Sequence, residues 1–384
     1  MSNALLLSGG APNLAFMAGG LCALDEKSVK FDVISTSGAG MLVGLLYAAP
    51  PGKGPISELR DKALKGALNM YVEDTIFGLM EQMFCPANYK VFHKPGAIAE
   101  MYTRMAQMMT QMLPKIPIPI PEAQRFVNDW TQFVLSTFCP TDLGPWSKGT
   151  CQPAPFIDEM VDFEKMKTGD SDFYMNAYCL ETQRMETFSK AKGEITPEHF
   201  KAALAMPLIY APYKLQGKTY IEGSAMDTIN FEAVMENYYE PATDHKMHPV
   251  VSGKAVPDKY QPKPGVKRVD TLLVFNMLGH KELIREPRHL FDALSMSMIV
   301  PLVPMSNDDI KLFKLEYRDR YRKGNPNFDL LEVTIDLTKE HWSKALDWSY
   351  ENGKRLFDAG YEAVNTQIFE NEDKAKRLLE GFPA

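Results

Sequence analysis

Cysteine is scarce in this chain of 384 residues: five in all, an odd total with no Cys-x-x-Cys pair. That supply makes neither a disulfide framework nor a zinc site, and Cys22 and Cys179, set in apolar segments, read as buried thiols. Basic charge is short as well. A net charge of −7 argues against nucleic acid as the main partner and leaves no polybasic membrane anchor. No stretch is long and apolar enough to span a bilayer. Residues 4–24 are apolar enough to mimic a signal peptide, but they lack a basic flank and read as a strand, a glycine loop and a helix. Internal repeats and low-complexity linkers are missing too, so nothing marks an independent second domain. What remains is a chain that is 45% hydrophobic, enough for a substantial core. The expectation is one domain over residues 1–384, cytoplasmic, with no cofactor and no metal.

Two segments near the start carry chemistry. Ala4 to Ser8 reads as a short buried strand, Gly9 to Asn13 as a glycine loop, and Leu14 to Leu24 as a helix. Strand, loop and helix together can gather backbone N–H groups around an anion. A phosphate cradle, and with it a nucleotide-binding protein, is one use. The P-loop lysine and hydroxyl pair and the three-glycine dinucleotide spacing are absent, which weakens it. An oxyanion hole is the other use. Downstream, the apolar strand Phe31 to Thr36 runs into Ser37-Gly38-Ala39-Gly40 and a small-residue helix. Ser37 can simply cap that helix. It can also stand on a nucleophile elbow, its hydroxyl clear of the backbone and its helix aimed at a developing oxyanion. The glycine loop a short way upstream favours the elbow.

A third piece lies far along the chain, where Lys201 to Tyr213 leads into Gly217-Lys218-Thr219-Tyr220-Ile221-Glu222-Gly223-Ser224-Ala225-Met226-Asp227. With it the chain resembles the patatin-like phospholipases, a family of serine lipid acyl hydrolases. That family shows a Ser-Gly-Gly-Gly-type loop, a Gly-Thr-Ser-x-Gly elbow, a small-residue helix ending in Ile-Pro, and a Tyr-x-Asp-Gly-Gly turn. The corresponding segments here are Ser8 to Ala11, Ser35 to Ala39, Ala202 to Pro207, and Tyr220 to Ser224, in the same order. Asp172 to Thr182 resembles a family core strand, and Glu351 to Tyr361 the family's C-terminal helix. There are departures. Ala11 stands at the third loop glycine, Asn13 at the usual arginine, Ser35 and Ala39 at the elbow glycines, and Glu222 at the catalytic aspartate. Glu222 keeps the carboxylate on an arm one methylene longer, and a shift of ~1 Å in a catalytic group can cost roughly 10²-fold. Asp227, five residues on, is an alternative base.

The resemblance implies a dyad in which a carboxylate takes the serine proton directly. Ser37 is then the nucleophile, Glu222 the base, and backbone amides near Gly10, Ala11 and Gly38 the oxyanion hole. None of the seven histidines sits in a recognisable motif. His199 belongs to a helix start after Thr196-Pro197-Glu198, and His245 and His248 to a polar loop.

Between residues 76 and 150 the character changes. Met80 and Met83 are followed by Met101, Met105, Met108, Met109 and Met112, the last five on one helical face. Pro114, Pro117, Pro119 and Pro121 come next, and the Ile-Pro alternation from Ile116 to Pro121 is expected to be extended. Phe126, Trp130, Phe133, Val134 and Thr137 predict a second apolar-faced helix. This insertion reads either as helices packed on the core or as a cap whose thioethers accommodate acyl chains. Residues 240–267 read as an exposed excursion, and Arg268 to Asn276 and Leu330 to Leu337 as core strands. Phe291 to Phe313 presents an apolar surface that needs a partner.

The expected fold is thus α/β and patatin-like, a central mixed sheet with helices on both faces and a Met/Pro-rich helical insertion at 76–150. The expected function is hydrolysis of fatty acyl esters (phospholipid, lysophospholipid or related) through an acyl-serine intermediate. The alternative is a catalytically impaired lipid- or acyl-chain-binding protein on the same fold. The partner is a lipid substrate, with peripheral contact at lipid surfaces and a homo-oligomer both left open.

Overall fold

The computed structural model describes residues 2–10, 13–82, 88–112, 120–241, 247–249, 255–257, 260–280, 283–287, 290–315, 329–335 and 347–380. Its main sheet contains β1 (Asn3–Leu7), β2 (Val33–Thr36), β3 (Asp172–Cys179), β4 (Arg184–Ser189), β5 (Tyr213–Leu215), β6 (Lys218–Glu222), β7 (Thr271–Asn276) and β8 (Asp329–Thr334). The strand order is β8-β7-β1-β2-β3-β6-β5, with β4 also paired to β3. From β8 to β3 the strands run parallel, whereas β4, β6 and β5 are antiparallel to their neighbours, so the sheet is mixed.

The helices include, labelled in chain order, α1 (Leu14–Glu26), α2 (Gly40–Ala48), α3 (Ala97–Met112), α4 (Pro121–Phe138), α5 (Pro197–Ala203), α6 (Phe231–Tyr238), α7 (Leu290–Phe313) and α8 (Tyr350–Val364). Parallel strands covered on both faces have no polar side to show, and β1 and β7 are buried throughout, with polar residues only at their ends, Asn3, Thr271 and Asn276. Leu5, Leu7, Leu273 and Phe275 join a core with α1, α2 and α8. Ala4, Leu6, Leu272 and Val274, one residue out of step, join a second core with Phe231 and Val234 of α6 and Ile310 and Phe313 of α7. Helices therefore cover both faces. On the first face α1 and α8 cross backbone to backbone. A β-carbon on Gly19 would stand 1.9 Å from the Phe357 carbonyl oxygen, and one on Gly360 would stand 1.9 Å from that of Phe16.

Outside the sheet, α3 and α4 bear out the two helices expected between residues 76 and 150. The α3 stripe is not core. Met101, Met105, Met108 and Met109 are each more than half exposed, and the Met112 side chain and Met83 lie outside the described residues. The Ile-Pro run differs at its end, because Pro121 opens α4 at N1 after an extended Ile120, where its missing N–H costs nothing. Residues 113–119 fall outside the description. The docked side of α4 is held by Phe133 and by buried Asp129, which pairs with Lys90 Nζ at 2.6 Å and accepts the Glu73 N–H at 2.8 Å.

Smaller differences concern ends. The strand expected from Arg268 begins at Thr271, and that expected to Leu337 ends at Thr334. Within 240–267, two short antiparallel pairs, Tyr239–Pro241 with Tyr260–Pro262 and Met247–Pro249 with Ala255–Pro257, interrupt the expected excursion. His245 is outside the described residues. Among the described residues no helix is long and apolar enough to cross a membrane.

Candidate active site

One strand brings the distant motifs together. The first half of β3 pairs with β2, Thr36 lying opposite Met175. Its second half pairs with β6, Glu222 lying opposite Ala177. Ser37 follows Thr36 and Glu222 ends β6, so the two leave the sheet at neighbouring rungs with Asn176 between them. On the other side of β2, Leu7 lies opposite Thr36, and the glycine loop leaves β1 at the same end.

The turn after β2 is made at Gly38, whose φ of +50° L side chains rarely adopt. A β-carbon there would stand 2.6 Å from Glu222 Oε1, 2.7 Å from Ser224 Oγ and 3.0 Å from Gly9 Cα. Three chain segments thus close around one glycine. Ser37 itself is fully buried, and its N–H donates to the Leu7 carbonyl at 3.0 Å. It does not cap α2: the N-cap is Ala39, and no side chain accepts there. Nor is its hydroxyl clear of the backbone, as the elbow reading expects. It donates to the Asp227 carbonyl at 2.9 Å, because the turn that follows β6 folds over the elbow. The Gly10 and Gly38 N–H groups find no acceptor among the described residues, the state an oxyanion hole requires. Gly10 also has positive φ, +124°. Ala11 lies outside the described residues.

The Glu222 carboxylate receives its hydrogen bond from the Ser224 hydroxyl. Burial pushes the Glu222 carboxyl up to about 7, and the Ser224 bond opposes that shift. Asp227 offers Ser37 its carbonyl while its own carboxyl turns toward Asn176, whose Nδ2 donates to the Asp227 carbonyl at 3.1 Å and to Oδ2 at 3.4 Å. Burial, then the nearby Asp309, raise the Asp227 carboxyl well above the usual range. His199 sits where expected, in the first turn of α5, its N–H on the Thr196 cap. No three His, Cys, Asp or Glu side chains among the described residues converge as metal ligands would.

Four residues here escaped the sequence reading. Asn176 carried a faint signal, a lone amide in an apolar strand, and Ser224 stood at a glycine position of the family turn. Thr228 and Asp309 carried none, since they meet across 81 residues.

Comparison with known proteins adds a family. A family model described as patatin-like phospholipase matches residues 5–235. The solved structure of VipD from Legionella pneumophila is similar over 94% of this chain and 67% of that one, with 12% identity and a TM-score of 0.34, a likeness too loose to carry chemistry. No curated protein matches the sequence.

Proposed function

The chain belongs to the patatin-like phospholipase family, a family of lipid hydrolases, and we propose that it cleaves fatty acyl esters of phospholipids, lysophospholipids or related lipids through an acyl-serine intermediate. The observation that carries this reading is the crowding at Gly38, where the elbow, the glycine loop and Glu222 meet. In the reaction the Ser37 hydroxyl leaves the Asp227 carbonyl and turns to Glu222, which takes its proton as Oγ attacks the ester carbonyl carbon. The negative charge that forms on the ester oxygen is held by the N–H groups of Gly10 and Gly38. Glu222 then returns the proton to the leaving alkoxide, and water cleaves the acyl-serine by the same route in reverse. A base serves best when its pKa lies near the working pH, and a buried carboxyl at about 7 meets that condition. Residues 76–150 act in this proposal as a cap within one domain, the exposed stripe of α3 meeting acyl chains or the lipid surface they come from.

A lipid-binding protein without turnover is the second reading, favoured by the burial of Ser37 and the occupied hydroxyl. A fluorophosphonate probe separates the two. Labelling at Ser37, lost in Ser37→Ala together with hydrolysis of a short-chain aryl ester, is the expected result. Removing one hydroxyl and its buried bond costs about 1 kcal/mol, so the variant remains folded. An unlabelled Ser37 in protein that still binds lipid selects the binder, and undiminished hydrolysis by Ser37→Ala removes Ser37 from the mechanism.

A further inference from the structure

The helix α7 lies beyond the stretch that matches the family model, yet one of its side chains grips the candidate site. Asp309 Oδ2 accepts the Thr228 N–H at 2.9 Å and the Thr228 hydroxyl at 2.6 Å. Main chain and side chain of one buried residue are thereby fixed by one carboxyl oxygen. A carboxylate suits this, because each of its oxygens accepts two hydrogen bonds.

Thr228 is no ordinary anchor point. Its own carbonyl accepts the Gly9 N–H at 3.3 Å, next to the loop that carries Gly10. The preceding carbonyl, that of Asp227, accepts the Ser37 hydroxyl at 2.9 Å and the Asn176 amide at 3.1 Å. Two successive carbonyls therefore touch the nucleophile and the glycine loop, and Asp309 holds the chain that bears them. The arrangement carries a standing cost. Asp309 is half-buried beside Asp227, and desolvation raises both carboxyls. An apolar side chain at 309 would fill the space without that cost but could not grip Thr228.

We infer that Asp309 is a positioning residue for the proposed hydrolysis, setting residues 227 and 228 so that the Ser37 hydroxyl and the glycine loop keep their mutual geometry. The inference rests on the reading of Ser37 as nucleophile. Asp309 is bonded at Thr228 rather than at Ser37 or Glu222, so its effect is transmitted through the backbone of residues 227–228.

The test compares Asp309→Ala, Asp309→Asn and wild type on a short-chain p-nitrophenyl ester, with kcat, KM and the thermal midpoint measured for each. Misplacing a reacting group by about 1 Å costs up to roughly 10²-fold, so kcat of Asp309→Ala falls about 10- to 100-fold. The effect passes through residues 227–228 to the reacting groups rather than through a binding contact, so KM stays within about two-fold. Asp309→Asn keeps an acceptor oxygen and returns most of the lost kcat. Wild-type kcat in Asp309→Ala overturns the inference, as does an equal loss of kcat in both variants. If Asp309→Ala does not fold, the near-isosteric Thr228→Val decides: the expected result is a kcat loss of about ten-fold at unchanged KM, and wild-type kcat overturns it. An active wild type with an unimpaired Asp309→Ala sinks this inference alone. A wild type that neither hydrolyses the ester nor takes the fluorophosphonate at Ser37 sinks the proposed function with it.

Discussion

Glu222 is the residue on which the proposed mechanism turns, and its burial sets its acidity. Its arm is one methylene longer than the family aspartate, but it leaves β6 opposite Ala177 and its Oε1 reaches the elbow at Gly38. Desolvation disfavours its charged form and pushes the carboxyl up to about 7. In the proposed mechanism the base must be ionised, so kcat/KM should rise about ten-fold per pH unit below 7 and level off above it. Glu222→Gln should lower the rate by ~10²-fold and abolish that limb. The Ser224 hydroxyl stabilises the carboxylate, so removing it in Ser224→Ala should move the midpoint to higher pH. A pH–rate profile on a soluble ester checks all three. Should Asp227→Asn be the damaging change and Glu222→Gln the mild one, Asp227 is the base.

Pairs of elements are held by contacts that a single β-carbon would break, and the crossing of α1 and α8 is the clearest case. The backbones touch at Gly19 and Gly360, each aimed at a carbonyl oxygen of the facing helix. Gly360→Ala has no flexible side chain to displace, so the helices must part. The expected loss is about 2 kcal/mol or more, at the upper side of ordinary overpacking. Gly66→Ala is the control. It is the last residue of the helix Ile56–Gly66, with nothing within 4 Å of the new methyl, and gains about 0.5 to 1 kcal/mol from helix propensity and a less disordered unfolded chain. Denaturant titration of both variants checks the contrast, and equal midpoints would mean that the crossing is slack.

Across the whole molecule, apolar surface is distributed unevenly. The two sheet faces bury their leucines and valines, while α3 exposes Met101, Met105, Met108 and Met109, and α4 adds half-exposed Phe126 and Trp130. An exposed patch of this kind marks an interaction surface more often than an accident of packing. Replacing Met105, Met108 and Met109 by glutamine keeps chain length and helix propensity. Because these side chains are already in water, the thermal midpoint should stay near wild type. If the cap proposal holds, hydrolysis of long-chain, aggregated esters falls by about ten-fold or more as apolar contact is lost, while short soluble esters are cleaved as before. Unchanged activity on both substrates would remove lipid contact from the role of α3.

The sequence by itself determined the fold and most of the elements that build it. Local patterns suffice for these: apolar runs for β1 and β7, a glycine loop after a strand, a serine at a strand–helix junction, and methionines recurring at helical spacing. The pieces also stood in family order, which located Ser37, Gly38 and Glu222 without any contact being known. Tertiary structure alone decided which way each group turned. The methionine stripe has the same periodicity whether it faces the core or water, and only the placement of α3 chose water. The Ser37 hydroxyl faces the Asp227 carbonyl, and Glu222 faces Ser224, because β3 shares its edge between β2 and β6 and the turn after β6 folds over the elbow. Asp309 reaches Thr228 across 81 residues, and no periodicity or motif encodes a contact between segments that meet only when the second core closes.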